Sequence, residues 1–397
     1  MKTVKLTILL AGLAMIGPFA TDTFLPSFHA IAQYFEVSYL LVQQTLSVYL
    51  FGFSLMTLFY GTLSDSFGRR PVIIVSLVVF TIASIGASMA PSFSLLLLFR
   101  ALQGASAGAG RVVGQAIVRD RFNSADAQRM ISNIAMVFGI APAIAPVVGG
   151  FLHVTFGWRS NFVLMALIGA ILVAACLRAL PETLPQQARH PFRPGLILGN
   201  FRTAIRHGRF VLCCLATGFS FGGFALYISS AAHFVMEILH LPETAFAWLF
   251  VPMIGGTVIG SAVGSRLAHR VRPAAMIRIG FIIMAIAVVL NMAYTDAFVA
   301  AVPWAVLPIM LYSFGLSLAI PGMTIATLDI FPTMRGLASS LQSFVQMLIF
   351  ALVSGFVAPL LFDSAFKLAA GVAAAVVLSL SFWLLGNLRG RKTDGRD

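Results

Sequence analysis

Three charged residues lie well inside otherwise apolar segments of the chain: Asp22, Arg100 and Arg111. A charge in hydrocarbon costs roughly 2.5–3.5 kcal/mol on insertion scales unless it faces a cavity or a partner. One acid and two bases placed this way have the chemistry of an ion path or of a polar ligand site within a membrane. No enzymatic constellation accompanies them. There is no Ser-His-Asp set and no pair of carboxylates at one depth. The small-residue run from Gly104 to Gly110 lacks both the strand before and the Lys-Ser/Thr after that a phosphate loop needs. His153 and His233 stand near outer span ends without metal-spaced partners. Cys176, Cys213 and Cys214 show no metal-like spacing, so they are expected to be packed thiols. The reading is therefore not an enzyme, with no metal and no cofactor.

The elements that must position these charges are membrane spans. Of the 397 residues, 59% are hydrophobic and only 10% charged, against about 25% charged in a soluble domain. Runs of about 20 apolar residues give about twelve spans. They fall near 5–27, 39–62, 72–91, 93–118, 130–153, 158–180, 209–234, 243–265, 274–294, 298–327, 336–359 and 366–388. Lys2 and Lys5 precede a run too long for a signal-peptide core, so it is read as a retained first span. The fold class is an all-α membrane protein.

The net charge of +13 invites a nucleic-acid reading, which the placement of the charge opposes. Of the 26 Lys and Arg residues, all but Arg100, Arg111, Arg159 and Lys367 fall on one side of the spans. The opposite loops carry Glu36, Glu237, Glu243, Asp296 and Asp363. This is the positive-inside bias, and it predicts cytoplasmic termini. The longest polar stretch, from Glu182 to Gly208, holds Pro185, Pro191 and Pro194 and divides six spans from six. The predicted organisation is a bundle over 1–181, a cytoplasmic linker over 182–208, and a second bundle with a short tail over 209–397. The stretch near 196–207 is read as a solvated linker in preference to a short amphipathic helix on the inner leaflet. A weak repeat supports the division: Gly61 to Pro71 after span 2, and Gly260 to Pro273 after span 8, both end in basic residues and a proline. Duplicated halves are characteristic of transporters with a midplane site.

Several strings then carry a resemblance. Gly61-Thr62-Leu63-Ser64-Asp65-Ser66-Phe67-Gly68-Arg69-Arg70, between spans 2 and 3, resembles the loop signature of the major facilitator superfamily. Gly61 is expected to permit close helix approach, and Gly68 suits a tight turn. Arg100-Ala101-Leu102-Gln103-Gly104 in span 4 resembles the family's R-x-x-Q-G motif. Span 5, from Gly139 through Pro142 and Pro146 to Gly149-Gly150, resembles the motif of its exporter branch. Together with Asp22-Thr23-Phe24-Leu25-Pro26, Arg119-Asp120 and Pro181-Glu182-Thr183-Leu184-Pro185, these strings resemble the Bcr/CflA-type drug-resistance subfamily of 12-span drug:proton antiporters. The resemblance covers nearly the whole chain.

The resemblance implies a major facilitator fold of two six-helix bundles in the bacterial inner membrane. It also implies multidrug efflux by alternating access, energised by the proton gradient, by a monomer surrounded by membrane lipid with no nucleic acid bound. Asp22 and Arg100 are then the proton-coupling residues. Gly61, Asp65, Gly68, Arg69, Arg70, Pro142, Pro146, Gly149 and Gly150 govern conformational gating, with loop 61–70 stabilising the outward-facing state. In one respect the chain departs from the subfamily. Gln115 stands where many members have a second span-4 arginine, and Arg111 lies one turn earlier.

Depth assigns partners. Span 1 runs outward and span 4 inward, which brings Asp22 and Arg100 to one level and within ion-pair reach. Their pair is either a fixed fastener or a carboxylate whose protonation responds to desolvation and to the guanidinium. Arg111 shares a face with Arg100 but lies about three turns, about 16 Å, deeper. No acid in the apolar spans matches its level. It is therefore either bonded to carbonyls or an anchor for an anionic or carbonyl-rich substrate. Arg111, Gln115, Tyr49, Gln44, Tyr227 and Gln346 are the expected substrate contacts. Gln43, Asn291, Tyr312, Gln342, Phe24 and Phe138 are further candidates. The alternative function is a facilitator or importer of an organic anion anchored by Arg111.

Overall fold

In a computed structural model the chain is described over residues 3–122, 124–189, 194–267, 270–332 and 334–394. Lys2, Pro191, Arg193 and Arg396 lie outside the described residues, as do the side chains of Arg129, Phe138, Pro194, Arg391 and Lys392. Helices make up the regular structure among the described residues, and eleven of them are long and apolar enough to cross a membrane. The twelfth span is present but divided. Span 4 consists of Phe93–Ala107 and Ala109–Arg121, interrupted at Gly108. The Ala105 carbonyl, in the last turn before the interruption, accepts the Tyr60 hydroxyl of span 2. A carbonyl at a helix end is one of the groups that needs an outside partner, and this one has it.

Contacts divide the chain into two compact units. One is Met1–Phe192 with Glu243–Ala247, and the other is Arg193–Pro242 with Trp248–Asp397. The first unit holds spans 1 to 6. Span 1 is longer than its apolar run suggests, because Thr3–Asp22 is followed by the turn Leu25–Ser27 and the helix Phe28–Phe35. The interruption falls at Asp22. Just beyond it, the Thr23 hydroxyl donates back to the Phe19 carbonyl at 2.5 Å, and Pro26 opens the next turn. Spans 2 and 3 are Tyr39–Phe67 and Arg69–Ser88. Spans 5 and 6 are Ser124–Phe156, with Pro142 and Pro146 inside it, and Arg159–Ala179.

The second unit holds spans 7 to 12. Span 7 runs Gly208–Ser229, and its end tightens and widens through Ala231–His233 and the π-turn Phe234–Ile238. Spans 8, 9 and 10 are Ala247–Leu267, Pro273–Ala297 and Leu307–Leu328. Span 11 is Arg335–Leu352, continued by a π-turn Val353–Val357 and Ala358–Leu361, and span 12 is Ala365–Asp394. Buried hydroxyls fasten span 7 to its neighbours: the Tyr312 hydroxyl donates to the Ser220 carbonyl at 2.6 Å and the Ser379 hydroxyl to the Ala216 carbonyl at 2.7 Å. In lipid such bonds average only about 0.6 kcal/mol each, so close packing supplies most of the cohesion.

The linker differs from expectation. Residues Pro194–Arg206 form a helix rather than a solvated strand of chain. Phe201 and Ala204 on one face are buried, while Arg202 and Arg206 on the other are exposed. Four prolines nearby suggest an irregular segment, but one of them occupies the first position of this helix, where a missing N–H costs nothing.

Candidate functional site

Arg100 is fully buried, at 0% exposure, and is held from every side. Its guanidinium lies between two rings, 4.2 Å from the centroid of Phe24 in span 1 and 4.5 Å from that of Tyr49 in span 2. Its edge donates to the Ala20 carbonyl at 3.0 Å, the Thr45 carbonyl at 3.3 Å and Gln103 Oε1 at 2.9 Å. Gln103 in turn donates from Nε2 to the Ser84 hydroxyl of span 3 at 2.7 Å. Arg100 and Gln103 together thus link four spans. A planar fork with aromatic faces above and below suits arginine and not lysine.

Asp22 is 2% exposed and sits at the interruption in span 1. Ala20 and Phe24, the residues two positions to either side, both touch Arg100. The expected common depth of Asp22 and Arg100 therefore holds. The expected ion pair does not: among the described residues no salt bridge joins them, and Arg100's hydrogen bonds go to carbonyls and Gln103 instead. The physical reason is two carbonyls, Ala20 beside the interruption in span 1 and Thr45 within span 2, together with Gln103. They are acceptors already in place for Nε and Nη1, while Nη2 is buried without a hydrogen-bond partner among the described residues.

Two of the expected substrate contacts lie inside the packing. Tyr49 is fully buried, donates to the Gly17 carbonyl at 3.1 Å and forms one wall of the Arg100 cage. Tyr227 is buried and accepts from Asn291 Nδ2 at 2.8 Å within the second unit. Arg111, Gln115, Gln44 and Gln346 are each half-buried. Arg111 and Gln115 share a face of the lower half of span 4, one turn apart. That half-helix lies along span 1, with Gly110 against the Leu13 backbone. Of the other polar candidates, Gln342 bridges Thr217 and Thr324, and Tyr312 bonds span 7, so both are fasteners.

The loop between spans 2 and 3 is a tight network. Arg69 is buried and donates to Ser64 Oγ at 2.6 Å, to Asp65 Oδ1 at 2.5 Å and to Asp120 Oδ2 at 3.1 Å. Arg70 donates to the Leu177 carbonyl at 2.7 Å. Gly68 has φ +99°, and a Cβ there would strike Glu182 and Arg189. Gly61, by contrast, has open space beside it, so the close approach expected there is absent.

Two acids in quoted motifs, given no role at the sequence level, complete this network. The Asp120 carboxylate also accepts the Thr183 hydroxyl at 2.9 Å. Glu182 accepts from the amides of Arg69 and Arg70 at 3.0 and 3.3 Å, so it caps the N-terminus of span 3 from a distant part of the chain. A carboxylate there satisfies orphan donors and meets the positive end of the helix dipole. Glu182→Ala is expected to cost about 1 kcal/mol, as loss of a cap does. Amide hydrogen exchange should then rise at Arg69 and Arg70 while spans 7 to 12 keep their protection.

Span 5 supplies the last group. A Cβ on Gly149 would overlap the Thr23 carbonyl of span 1, and one on Gly150 would overlap the Glu243 carbonyl. His153, one turn on, lies 3.1 Å from the Glu243 carboxylate. The paired glycines thus admit two backbones at adjacent positions, one of them next to Asp22.

Comparisons with known proteins agree with this architecture. A family model described as Major Facilitator Superfamily matches residues 10–354. A bicyclomycin resistance protein homolog of Haemophilus influenzae is 28% identical over 387 residues, covering 96% of each chain. Multidrug resistance protein D of Escherichia coli is 26% identical over 346 residues, covering 87% of this chain and 86% of its own. Among solved structures, a D-xylose–proton symporter superposes with a TM-score of 0.77 at 15% identity, covering 96% of this chain and 98% of its own. That last likeness shows the fold alone. With the family model spanning most of the chain, this protein belongs to the major facilitator superfamily, as a membrane transporter and not an enzyme.

Proposed function

We propose that this transporter exports small drugs or amphipathic metabolites across the bacterial inner membrane in exchange for protons, by alternating access. Its basic loops and both termini face the cytoplasm, and the protein works as a monomer. The observation that carries the proposal is Asp22: a buried carboxyl at a break in span 1, next to an arginine whose hydrogen bonds go to carbonyls and Gln103 and not to it. A carboxylate locked in an ion pair would resist changing its proton. One beside a cation that does not bind it can load and release a proton as its surroundings open and close. Arg100 acts as a fixed positive field that biases this step, and as the frame that keeps the site in shape.

Arg111 and Gln115 contact the substrate, with Gln44 and Gln346 as further polar contacts. The names of the relatives support the drug-like substrate class, and the paired glycines of span 5 support the exporter reading. The network of Asp65, Arg69, Arg70 and Asp120 holds the loop that governs gating.

The test uses proteoliposomes with an imposed pH gradient. Asp22→Asn is expected to abolish proton-driven accumulation of drug while leaving drug binding within about twofold, since only a transition-linked proton step is removed. Retention of full proton-driven transport by Asp22→Asn would sink the proton-carrier role. Flux that ignores the gradient in the wild type, and runs in either direction for organic anions, would instead establish the facilitator reading anchored by Arg111.

A further inference from the structure

We infer that the second unit carries a binding site for the phosphodiester headgroup of an anionic phospholipid, formed by Arg206, Arg209 and Arg389 where the linker helix meets span 7. The inference concerns the basic face of the protein and does not depend on which substrate is transported. The linker helix Pro194–Arg206 packs on spans 7 and 11 through buried Phe201 and Ala204. Arg202 and Arg206, one turn apart, share the opposite exposed face. Between the buried face and that arginine face lies Ile205, which is 61% exposed. A helix with one side on protein, an exposed isoleucine and then two arginines has the layering of the acyl–headgroup boundary.

Chain geometry brings more cations to its end. The helix stops at Arg206, His207 accepts from the Phe210 amide as the cap of span 7, and span 7 begins at Gly208. Arg209 is half-buried in this first turn, and its Nε is buried without a hydrogen-bond partner among the described residues. Span 12 packs beside it, with Gly386 against Leu212 and Cys213, and places the Arg389 guanidinium where a Cβ on Gly208 would stand. The acid at the neighbouring end of span 10, Asp329, is held by Arg335 at 2.8 Å. Arg209, three residues beyond Arg206, and Arg389 therefore stand at the amino end of span 7, with one buried Arg209 donor unpaired among the described residues.

Basic loops are common on this side of membrane proteins and by themselves set only topology. What distinguishes this cluster is the buried Arg209 donor together with an exposed isoleucine on the adjoining helix. Phosphate matches the guanidinium fork in bidentate geometry, and basic pockets at the ends of spans suit anionic headgroups. The occupant is a lipid and not a free anion, because Ile205 offers a surface only an acyl chain would use.

The full-length protein in nanodiscs of phosphatidylethanolamine with a minority of phosphatidylglycerol provides the test, with retained lipid read by native mass spectrometry. Wild type is expected to retain phosphatidylglycerol selectively. Arg206→Ala should lower retention about fivefold, the effect of one arginine at an anionic surface, and its exposed position leaves the fold intact. Arg209→Ala with Arg389→Ala should lower it further, while Arg270→Ala with Arg272→Ala, an equal charge change in another basic loop, should leave it unchanged. Unchanged retention in Arg206→Ala and in the Arg209/Arg389 variant would overturn the site. Equal loss in the loop control would reduce it to nonspecific charge. Displacement of phosphatidylglycerol by inorganic phosphate would make it a small-anion site instead.

Discussion

Arg100→Ala is expected to lower the apparent melting temperature by roughly 6–12 °C, on the basis of about 3 kcal/mol lost. The substitution leaves two buried carbonyls and the Gln103 side chain without their donor, and opens a gap between the Phe24 and Tyr49 rings. Each buried acceptor left unsatisfied costs about 1–3 kcal/mol. Part of that is offset because a buried charge disappears with the arginine. Arg100→Lys should recover only a minority of the loss, since an ammonium cannot fill the slot between the rings or reach three acceptors in one plane. Thermal unfolding in detergent with a fluorescent thiol or tryptophan readout checks this. A variant that melts like the wild type yet fails to couple protons would show that Arg100 acts on chemistry alone.

Gly149→Val is expected to have an effect at least as large, for a steric reason. A Cβ at this position falls on the Thr23 carbonyl, which is backbone and has no rotamer to move to. Span 1 and span 5 must separate, and overpacking of this kind costs about 1–3 kcal/mol or more. The displacement falls on the turn that carries Asp22, so transport should be lost even in the fraction that folds. Gly61→Ala is the contrast. It has open space and a helical backbone, and Gly→Ala there should be neutral or stabilising by up to about 1 kcal/mol. The yield of monodisperse protein on size exclusion should fall for Gly149→Val and hold for Gly61→Ala.

The span pattern was legible because hydrocarbon imposes one strong rule, about 20 apolar residues per crossing. The common depth of Asp22 and Arg100 followed from span direction and 1.5 Å of rise per residue. The partners of Arg100 did not follow, because carbonyls bear no side-chain signature. Sequence reasoning paired the arginine with an acid because only acids are visible as letters. Glu182 escaped for a related reason: it caps amides 113 residues away, and the letter E in a proline-rich string says nothing of which helix end it meets. Tyr49 and Tyr227 are ambiguous as letters, because a polar aromatic in a span fits both a ligand contact and the internal hydrogen bonds they make. The linker helix was hidden by its prolines, one of which starts it.

The interruption of span 4 at Gly108 has a consequence for how such a protein can evolve. Above the break, Arg100 and Gln103 are tied to three other spans, so almost any change there is a change to the whole unit. Below it, Arg111 and Gln115 sit on a separate half-helix whose upper neighbour is already closed off by the Tyr60 hydroxyl. If Arg111 and Gln115 contact the substrate as proposed, a mutation at either changes a half-buried side chain outside the Arg100–Gln103–Ser84 hydrogen bonds. On that proposal, an arginine could shift by a turn along the half-helix, and the range of exported compounds with it, while the hydrogen bonds above the break stay as they are.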